Sequence, residues 1–435
     1  MNLSALRREP RTTHAFGDRR RAEASALLSS AAARAAVARH GTPLLLLEPE
    51  RVRRQYRRLR EALPFVGFHY AVKALAHDAV LDVLDEAGCG FDIATGEELA
   101  MLTRRGVDTS RIIHTHPIKK PAEIAEALAA GVRTFVVDNA VEIDKFRGAP
   151  PDTRLLVRLA YRSPHAKSDL SAKFGVGPFE AARLVESALA SGVTVAGFSY
   201  HVGSQLDDPG RFASAAADTL ELMGILERRC NVQFDTLDIG GGFPASYDAE
   251  SAAIDDIAAL LRPVLAPHAR RLDIIAEPGR VMVADAMTLV TSVVGIAERG
   301  DGRWYYLDDG LYGSYSNVLT EDVHPLVFAA RDLTSTDPWT GRLSAGAHAG
   351  DHRWATLAGP TCDSSDVIAR EVLLPELHVG DLLVSPTMGA YTTVTATRFN
   401  GRPFTPIAVV GRGAAAAQTT ADAVVGSDVR RVPIV

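Results

Sequence analysis

The sequence is poor in cysteine and in lysine, and it has no long apolar run. Its three cysteines, Cys89, Cys230 and Cys362, lie far apart. They form neither the paired framework of a disulfide-stapled domain nor the spacing of a metal site, so a reducing, cytoplasmic compartment is expected and no metal centre. No uncharged stretch approaches the roughly 18 apolar residues that cross a bilayer, and no membrane partner is expected. A formal net charge of -6 gives no basic footprint for nucleic acid. What remains is an ordinary globular composition, 47% hydrophobic over 435 residues, long enough for two domains or for one barrel with an appendage. Such a chain suits the handling of small molecules.

Scarcity makes the lysines informative. Only six of the 47 basic residues are lysine, so where a cation alone was needed this chain uses arginine. Lys73 stands at the end of an apolar strand pattern in "FHYAVKALAHDAV". An amine can lose its proton and act as a nucleophile, whereas a guanidinium stays charged. The apolar neighbours Val72 and Ala74 are expected to lower the Lys73 pKa by desolvation.

Short β-rich runs alternate with helix-period segments from about residue 65 to 280. The expected strands are Val66–Val72, Phe91–Ala94, Arg111–His114, Thr134–Asp138, Arg154–Ala160, Val195–His201, Thr236–Ile239 and Leu272–Ala276. Near-continuous apolar strands indicate parallel pairing, and eight βα repeats indicate a closed (β/α)8 TIM barrel within an α/β chain. An open doubly wound sheet is the alternative. After Arg280 the pattern turns β-rich with little helical period, which reads as a C-terminal, mostly antiparallel β domain. The expected units are an N-terminal helical extension over 1–41, a barrel over 42–284 and a β-sandwich or β-barrel over 285–435. The first 40 residues have the Arg, Ala and Ser content of a transit peptide, but Glu9, Asp18 and Glu23 favour a helical extension. Thr334–His352 reads as a surface excursion.

In such a barrel the chemistry sits at the carboxyl ends of the strands. Those ends carry Lys73, Asp92, His114, His116, Arg158, His201 with Ser204, Gly240–Gly242, and Glu277 with Arg280. "LDIGGGFP" runs a strand into three glycines, whose bare backbone amides can approach an anion such as phosphate; the spacing is not the dinucleotide GxGxxG. A tight βα turn is the plainer reading of the same glycines. Glu277 in "AEPGR" could hold a protonated heterocyclic nitrogen or form a surface salt bridge. His201 in "SYHVGSQ" could stack on a flat ring or be a satisfied structural histidine. Amine, phosphate cradle, acid and flat imidazole together describe pyridoxal 5'-phosphate held as a Schiff base.

"YAVKA", "FDIATGEEL", "HVGSQ", "DIGGGFP", "EPGR", "GPTCDSSD" and "MGAYTT", in this order across roughly residues 42 to 410, resemble the pyridoxal phosphate decarboxylases of alanine-racemase fold. This is the group of ornithine, lysine and diaminopimelate decarboxylases. "RIIHTHPIKK", "DDGLYGSYSNVL" and "LPELHVGD" are most similar to the eukaryotic-type ornithine enzymes. The resemblance implies a homodimer with shared active sites, a basic amino acid as substrate, and Lys73, Cys362 and His201 as catalytic groups. Lys73 would bind the cofactor covalently, His201 would stack on its ring, and Cys362 would donate a proton from the other subunit. Asp92, Glu98, Arg158, Ser204, Gly241, Gly242, Glu277, Pro278, Gly279, Arg280 and Tyr391 would line or bind the cofactor. Asp363 and the pair Thr320-Glu321 would contact the substrate. Related ornithine decarboxylases carry Tyr-Asp at this pair, so Glu321 reaches one methylene further. "CDSSD" favours a basic amino acid over diaminopimelate; ornithine, lysine, arginine and a specialised amino acid stay open. A racemase and an inactive regulatory homologue are the rival readings.

Overall fold

The computed structural model describes residues 14–162, 170–333 and 352–411. Helices α1 (His14–Ser29) and α2 (Ala31–His40) come first, joined at Ser30, whose side chain caps α2 by accepting from the Ala33 amide at 3.1 Å. Strand β1 follows as four leucines, Leu44–Leu47, all buried. Alternation divides them: Leu44 and Leu46 pack with Leu28, Ala33 and Val37 of the two helices, while Leu45 and Leu47 join the main core.

Eight strands then form the closed barrel: β2 (Val66–Ala71), β3 (Gly90–Ile93), β4 (Ile112–His114), β5 (Thr134–Val137), β6 (Arg154–Ala160), β7 (Val195–His201), β8 (Thr236–Asp238) and β9 (Asp273–Ala276). All pairings are parallel, and β9 closes on β2 with Val66 opposite Ile274, so the open-sheet alternative is excluded. Ile113, Val136, Leu156, Ala196 and Ile275 form a small cluster of their own. Their strand neighbours Ile112, Phe135, Val137, Leu155 and Val157 pack in the large core. This two-residue alternation assigns the first set to the barrel interior and the second to the helix-covered outside. Both faces are dry, which is why these strands read as continuous apolar runs.

The remaining strands are β10 (Met287–Arg299), β11 (Gly302–Leu307), β12 (Phe328–Ala329), β13 (His352–Ala358), β14 (Val367–Pro375), β15 (Leu382–Ser385) and β16 (Ile407–Val409). Their sheet runs β12-β15-β10-β11-β13-β14, with β1 attached to β10 and β16 to β1. It is mostly antiparallel; β1 with β16 and β11 with β13 are parallel pairs. The domain boundary expected at residue 42 therefore needs correction. Leu44–Leu47 belongs to this sheet, antiparallel to Met287–Val290, because a four-residue apolar run completes the sheet and leaves a face for α1 and α2 to cover. The expected extension is thus two helices packed on the β domain. Of the surface excursion expected over Thr334–His352, residues 334–351 lie outside the described residues, and His352 is the first residue of β13. Among the described residues no helix is long and apolar enough to cross a membrane.

Candidate active site

The strand β2 ends one residue earlier than expected, and Val72–Ala74 makes a single 3-10 turn that carries Lys73 over the barrel mouth. Val72 and Ala74 are buried, while the Lys73 side chain is 46% exposed toward the pocket that it lines. Its Nζ lies 3.8 Å from Asp92 Oδ2. Asp92, on β3, is buried and accepts from the Thr115 hydroxyl at 2.6 Å. Desolvation does act to lower Lys73, as its apolar neighbours suggest. Asp92, Tyr391 and Glu277 outweigh it, and the ammonium is raised above its ordinary value. The chain neighbours show only the apolar walls; the opposing groups are brought to the same point by two other strands, β3 and β9, and by the β domain.

Those acids cannot all be charged at once. Burial pushes Asp92 up to about 7, with Glu277 adding to the rise and Lys73 opposing it. Burial also pushes Glu98 up to about 7, although it accepts from the Ala94 amide at 2.5 Å. Glu277 is driven well above the carboxylate range by burial and by Asp238. A folded state that keeps Asp92 protonated up to about pH 7 binds more protons than an unfolded chain, whose aspartates release theirs near about 3.9. Stability of the cofactor-free protein should therefore fall as pH rises from about 4 to about 7. Melting temperatures over that range should slope less steeply in Asp92→Asn, with Glu98 leaving a residual slope. An unchanged slope would reject the assignment.

His201 ends β7, and its Nδ1 accepts from the Gly203 amide at 3.0 Å. That bond places the proton on Nε2, and burial beside Arg158 and Lys73 keeps the ring neutral. Below it the glycine turn has no room for side chains: at Gly240 (φ +66°) a Cβ would meet Tyr200 O at 2.0 Å, and at Gly242 (φ +96°) Gly203 O at 2.3 Å.

Ser204, Gly242, Gly279, Arg280 and Tyr391 line the same pocket as Lys73 and Glu277. Arg280 is buried; it donates to the Tyr247 hydroxyl at 2.9 Å and the Ser204 hydroxyl at 3.1 Å, and it lies 4.9 Å over the Tyr391 ring. It also pairs with Glu321. Its Nε is buried without a partner. Tyr391 arrives from the loop after β15, its amide donating to Ala74 O at 3.1 Å, so the β domain supplies one wall. The Pro278 carbonyl accepts from the Ala71 amide at 3.2 Å, tying the "EPGR" turn to the strand that leads to Lys73.

Other expected residues stand elsewhere. Glu321 is held on Arg280 rather than on open pocket wall, and the Thr320 hydroxyl turns back to Ser316 O at 3.1 Å. Cys362 and Asp363 do not line the Lys73 pocket of their own chain. Cys362 is exposed, with its Sγ 3.4 Å from Asn400 Nδ2. Asp363 accepts from the Tyr312 hydroxyl and from the Ser365 amide, which hold it below the usual carboxylate range. His114 is buried against Phe135 with neither ring nitrogen hydrogen-bonded, and His116 packs edge-on to Phe174; neither lines the pocket. Asp238, Tyr247 and Asn400 were not anticipated. For Asp238 the signal was available: an acid inside the apolar strand of "LDIGGGFP".

A larger cavity, of about 410 Å³, opens at the amino-terminal face of the barrel beside Tyr56, Arg111, Arg154 and Asp273. Arg111 and Arg154 are engaged with Asp85 and Asp235, Arg60 lies over the Tyr56 ring, and no lysine lines the cavity. The amine, the glycine turn and the buried acids are all at the Lys73 end. Pyridoxal phosphate fits there: Arg280 Nε is an orphaned donor beside bare glycine backbone and a hydroxyl, Glu277 is a buried acid at the wall, and Lys73 is a reachable amine.

Residues 49–284 match the family of the pyridoxal-dependent decarboxylase, pyridoxal binding domain. A lysine/ornithine decarboxylase from Selenomonas ruminantium is 36% identical over 363 residues, 83% of this chain and 87% of that protein. Antizyme inhibitor 2 from Xenopus laevis is 34% identical over 81% of this chain and 78% of its own length. The crystal structure of lysine/ornithine decarboxylase from Vibrio vulnificus, complexed with cadaverine, superposes with a TM-score of 0.79 at 40% identity, covering 87% of this chain and 97% of that one. With the barrel, the pocket and these relatives in agreement, the chain belongs to the pyridoxal-dependent decarboxylases of the ornithine and lysine group.

Proposed function

We propose that this enzyme removes the α-carboxylate of an ornithine- or lysine-like amino acid in the cytoplasm, at sites shared between two copies of the chain. The observation that carries the proposal is the single pocket in which Lys73 and Glu277 face an arginine whose Nε has no partner. Pyridoxal phosphate, when bound, supplies an electron sink conjugated to the substrate's α-carbon.

The chain's own residues do the rest. Arg280, Ser204 and the backbone of Gly242 and Gly279, which line the pocket with Tyr391, would bind the phosphate, with the adjoining Gly241 backbone beside them. Lys73 is the covalent attachment point, and the Asp92 carboxyl 3.8 Å away can take or return its proton. Neutral His201, fixed by Gly203, offers a flat face, and Glu277 holds a proton at the pocket wall. Arg158, on β6, adds positive charge near His201 and Glu277. Cys362 and Asp363 belong to the second copy's contribution: a thiol to protonate the α-carbon and a carboxylate to receive the distal ammonium. The exposure of Cys362, together with the absence of both residues from the pocket of their own chain, supports that division.

Carbon dioxide release from a panel of ornithine, lysine, arginine, diaminopimelate and the D-forms tests the reading. L-Ornithine or L-lysine should exceed diaminopimelate in kcat/KM by about tenfold or more, the cost of one lost charged contact. A protein that binds pyridoxal phosphate and releases no carbon dioxide from any of them would overturn it.

A further inference from the structure

Asp238 occupies the last position of β8, between Leu237 and Ile239, and is fully buried. An acid in that place is costly unless it is hydrogen-bonded. Both of its oxygens are engaged: Oδ1 accepts from the Gly240 amide at 2.9 Å and Oδ2 from the Ser199 hydroxyl at 3.0 Å. Asp238 pairs with Ile275 across β8 and β9, so Glu277, two residues on, follows on the same face, and the Asp238 carboxyl adds to the rise of Glu277. The backbones lock the two acids together, since Ile239 N donates to Ile275 O and Glu277 N to Gly240 O, each at 2.8 Å. Glu277 lines the Lys73 pocket and Asp238 does not.

We propose that Asp238 is the positioning residue behind the active-site acid: through one shared proton it fixes the Glu277 carboxyl and keeps that proton at the pocket wall. Two buried carboxyls in contact hold a single proton between them. The Gly240 and Ser199 donors both favour charge on Asp238, so the proton resides on Glu277. There it faces any basic heterocyclic nitrogen lodged in the pocket. Transfer moves H⁺ from a Glu277 oxygen to the nitrogen lone pair and leaves Glu277 as a carboxylate beside the new N–H⁺. The charged and titratable groups facing the pair are Lys73 from the turn after β2, Asp92 from β3, Arg158 from β6 and Tyr200 from β7. Burial raises both acids, and the direction agrees with one retained proton. The purpose assigned to the proton rests on the decarboxylase reading; the existence of the pair does not.

The infrared carbonyl band of protonated carboxyls in the cofactor-free protein provides the test. At about pH 9, Asp92 and Glu98, each titrating at about 7, are ionised, so a remaining band reports the pair. Glu277→Gln should remove it. Asp238→Asn deletes the neighbouring charge and gives Glu277 an amide donor, so the band's pH midpoint should fall by about one unit or more. Ser199→Ala takes a donor from Asp238 and should move the midpoint upward. Opposite shifts are not produced by a merely structural role. Midpoints unchanged, or moved in the same direction in both variants, overturn the proposal; if Asp238→Asn does not fold, an unchanged midpoint in Ser199→Ala is sufficient. Adding pyridoxal phosphate to the unmodified protein should abolish the band, whereas inorganic phosphate should leave it. A band that survives pyridoxal phosphate overturns the delivery of the proton. These spectra need no turnover, so their failure is distinct from a failure to release carbon dioxide.

Discussion

Lys73→Ala should lose the visible absorbance of lysine-bound pyridoxal phosphate and with it turnover, by about a thousandfold or more. The substitution removes two things, an amine and a positive charge. The charge matters to the fold, because Asp92 lies 3.8 Å away and is buried, and an unpaired acid there would take up a proton. Lys73→Arg separates the two effects. It keeps a cation against Asp92 and Glu277, but a guanidinium does not serve as the attacking amine at neutral pH. The arginine variant should therefore melt near the unmodified protein and still show neither the band nor activity. Absorbance titration and carbon dioxide release check both variants, and turnover at the ordinary rate in either would remove Lys73 from the chemistry.

Cys362→Ala should lower the rate of amine formation by about 10² to 10⁴, the range for losing one positioned proton donor. The informative experiment is to mix it with Lys73→Ala. Each variant alone is inactive or nearly so. If each site takes Lys73 from one copy and Cys362 from the other, random re-pairing restores an intact site in half of the mixed dimers' positions, about a quarter of all sites. If both residues served the same site, mixing would restore nothing. The first outcome is expected on the proposed division of the site. Cys362, held at 3.4 Å from Asn400, and Asp363, held by Tyr312, sit on an exposed face where Phe399 packs against Tyr312 at 4.5 Å between ring centres. Their own chain's Lys73 pocket is completed without them. Recovered activity after mixing, measured against each variant alone, decides the point.

Much of this site is local in character and so is legible in the chain. The barrel strands announce themselves because both faces are dry. Arg154–Ala160 and Val195–His201 have the same limits in sequence and structure, and the other strands shift by a residue at one end or both, where polar caps compete with pairing. Strand ends carry the functional groups in any barrel of this kind, so Lys73, His201 and Glu277 could be placed on one rim before any coordinates. The glycines of "GGG" were readable for a similar reason, since backbone without side chains has few purposes at a strand end.

The remainder depends on distances between segments far apart in sequence. Leu44–Leu47 reads as an apolar strand, but no periodicity says that its partners are Met287–Val290 and Ile407–Val409. Glu321 reads as a carboxylate one methylene longer than its relatives carry; that it settles on Arg280, 41 residues away, is decided by the docking of the β domain on the barrel mouth. Asp238 was visible as an acid in an apolar strand, yet its meaning required Ser199 on one side and Glu277 on the other.

The sequence by itself determined the barrel, the cofactor class and the candidate amine, because these follow from residue type and spacing along single elements. Only the tertiary structure decided the protonation of that amine and of the acids around it. The apolar neighbours Val72 and Ala74 are visible in the chain, whereas the full burial around Lys73 and the opposing charges of Asp92, Tyr391 and Glu277, from β3, the β domain and the end of β9, exist only in the fold. Coulomb energy depends on separation in space, and folding alone sets that separation.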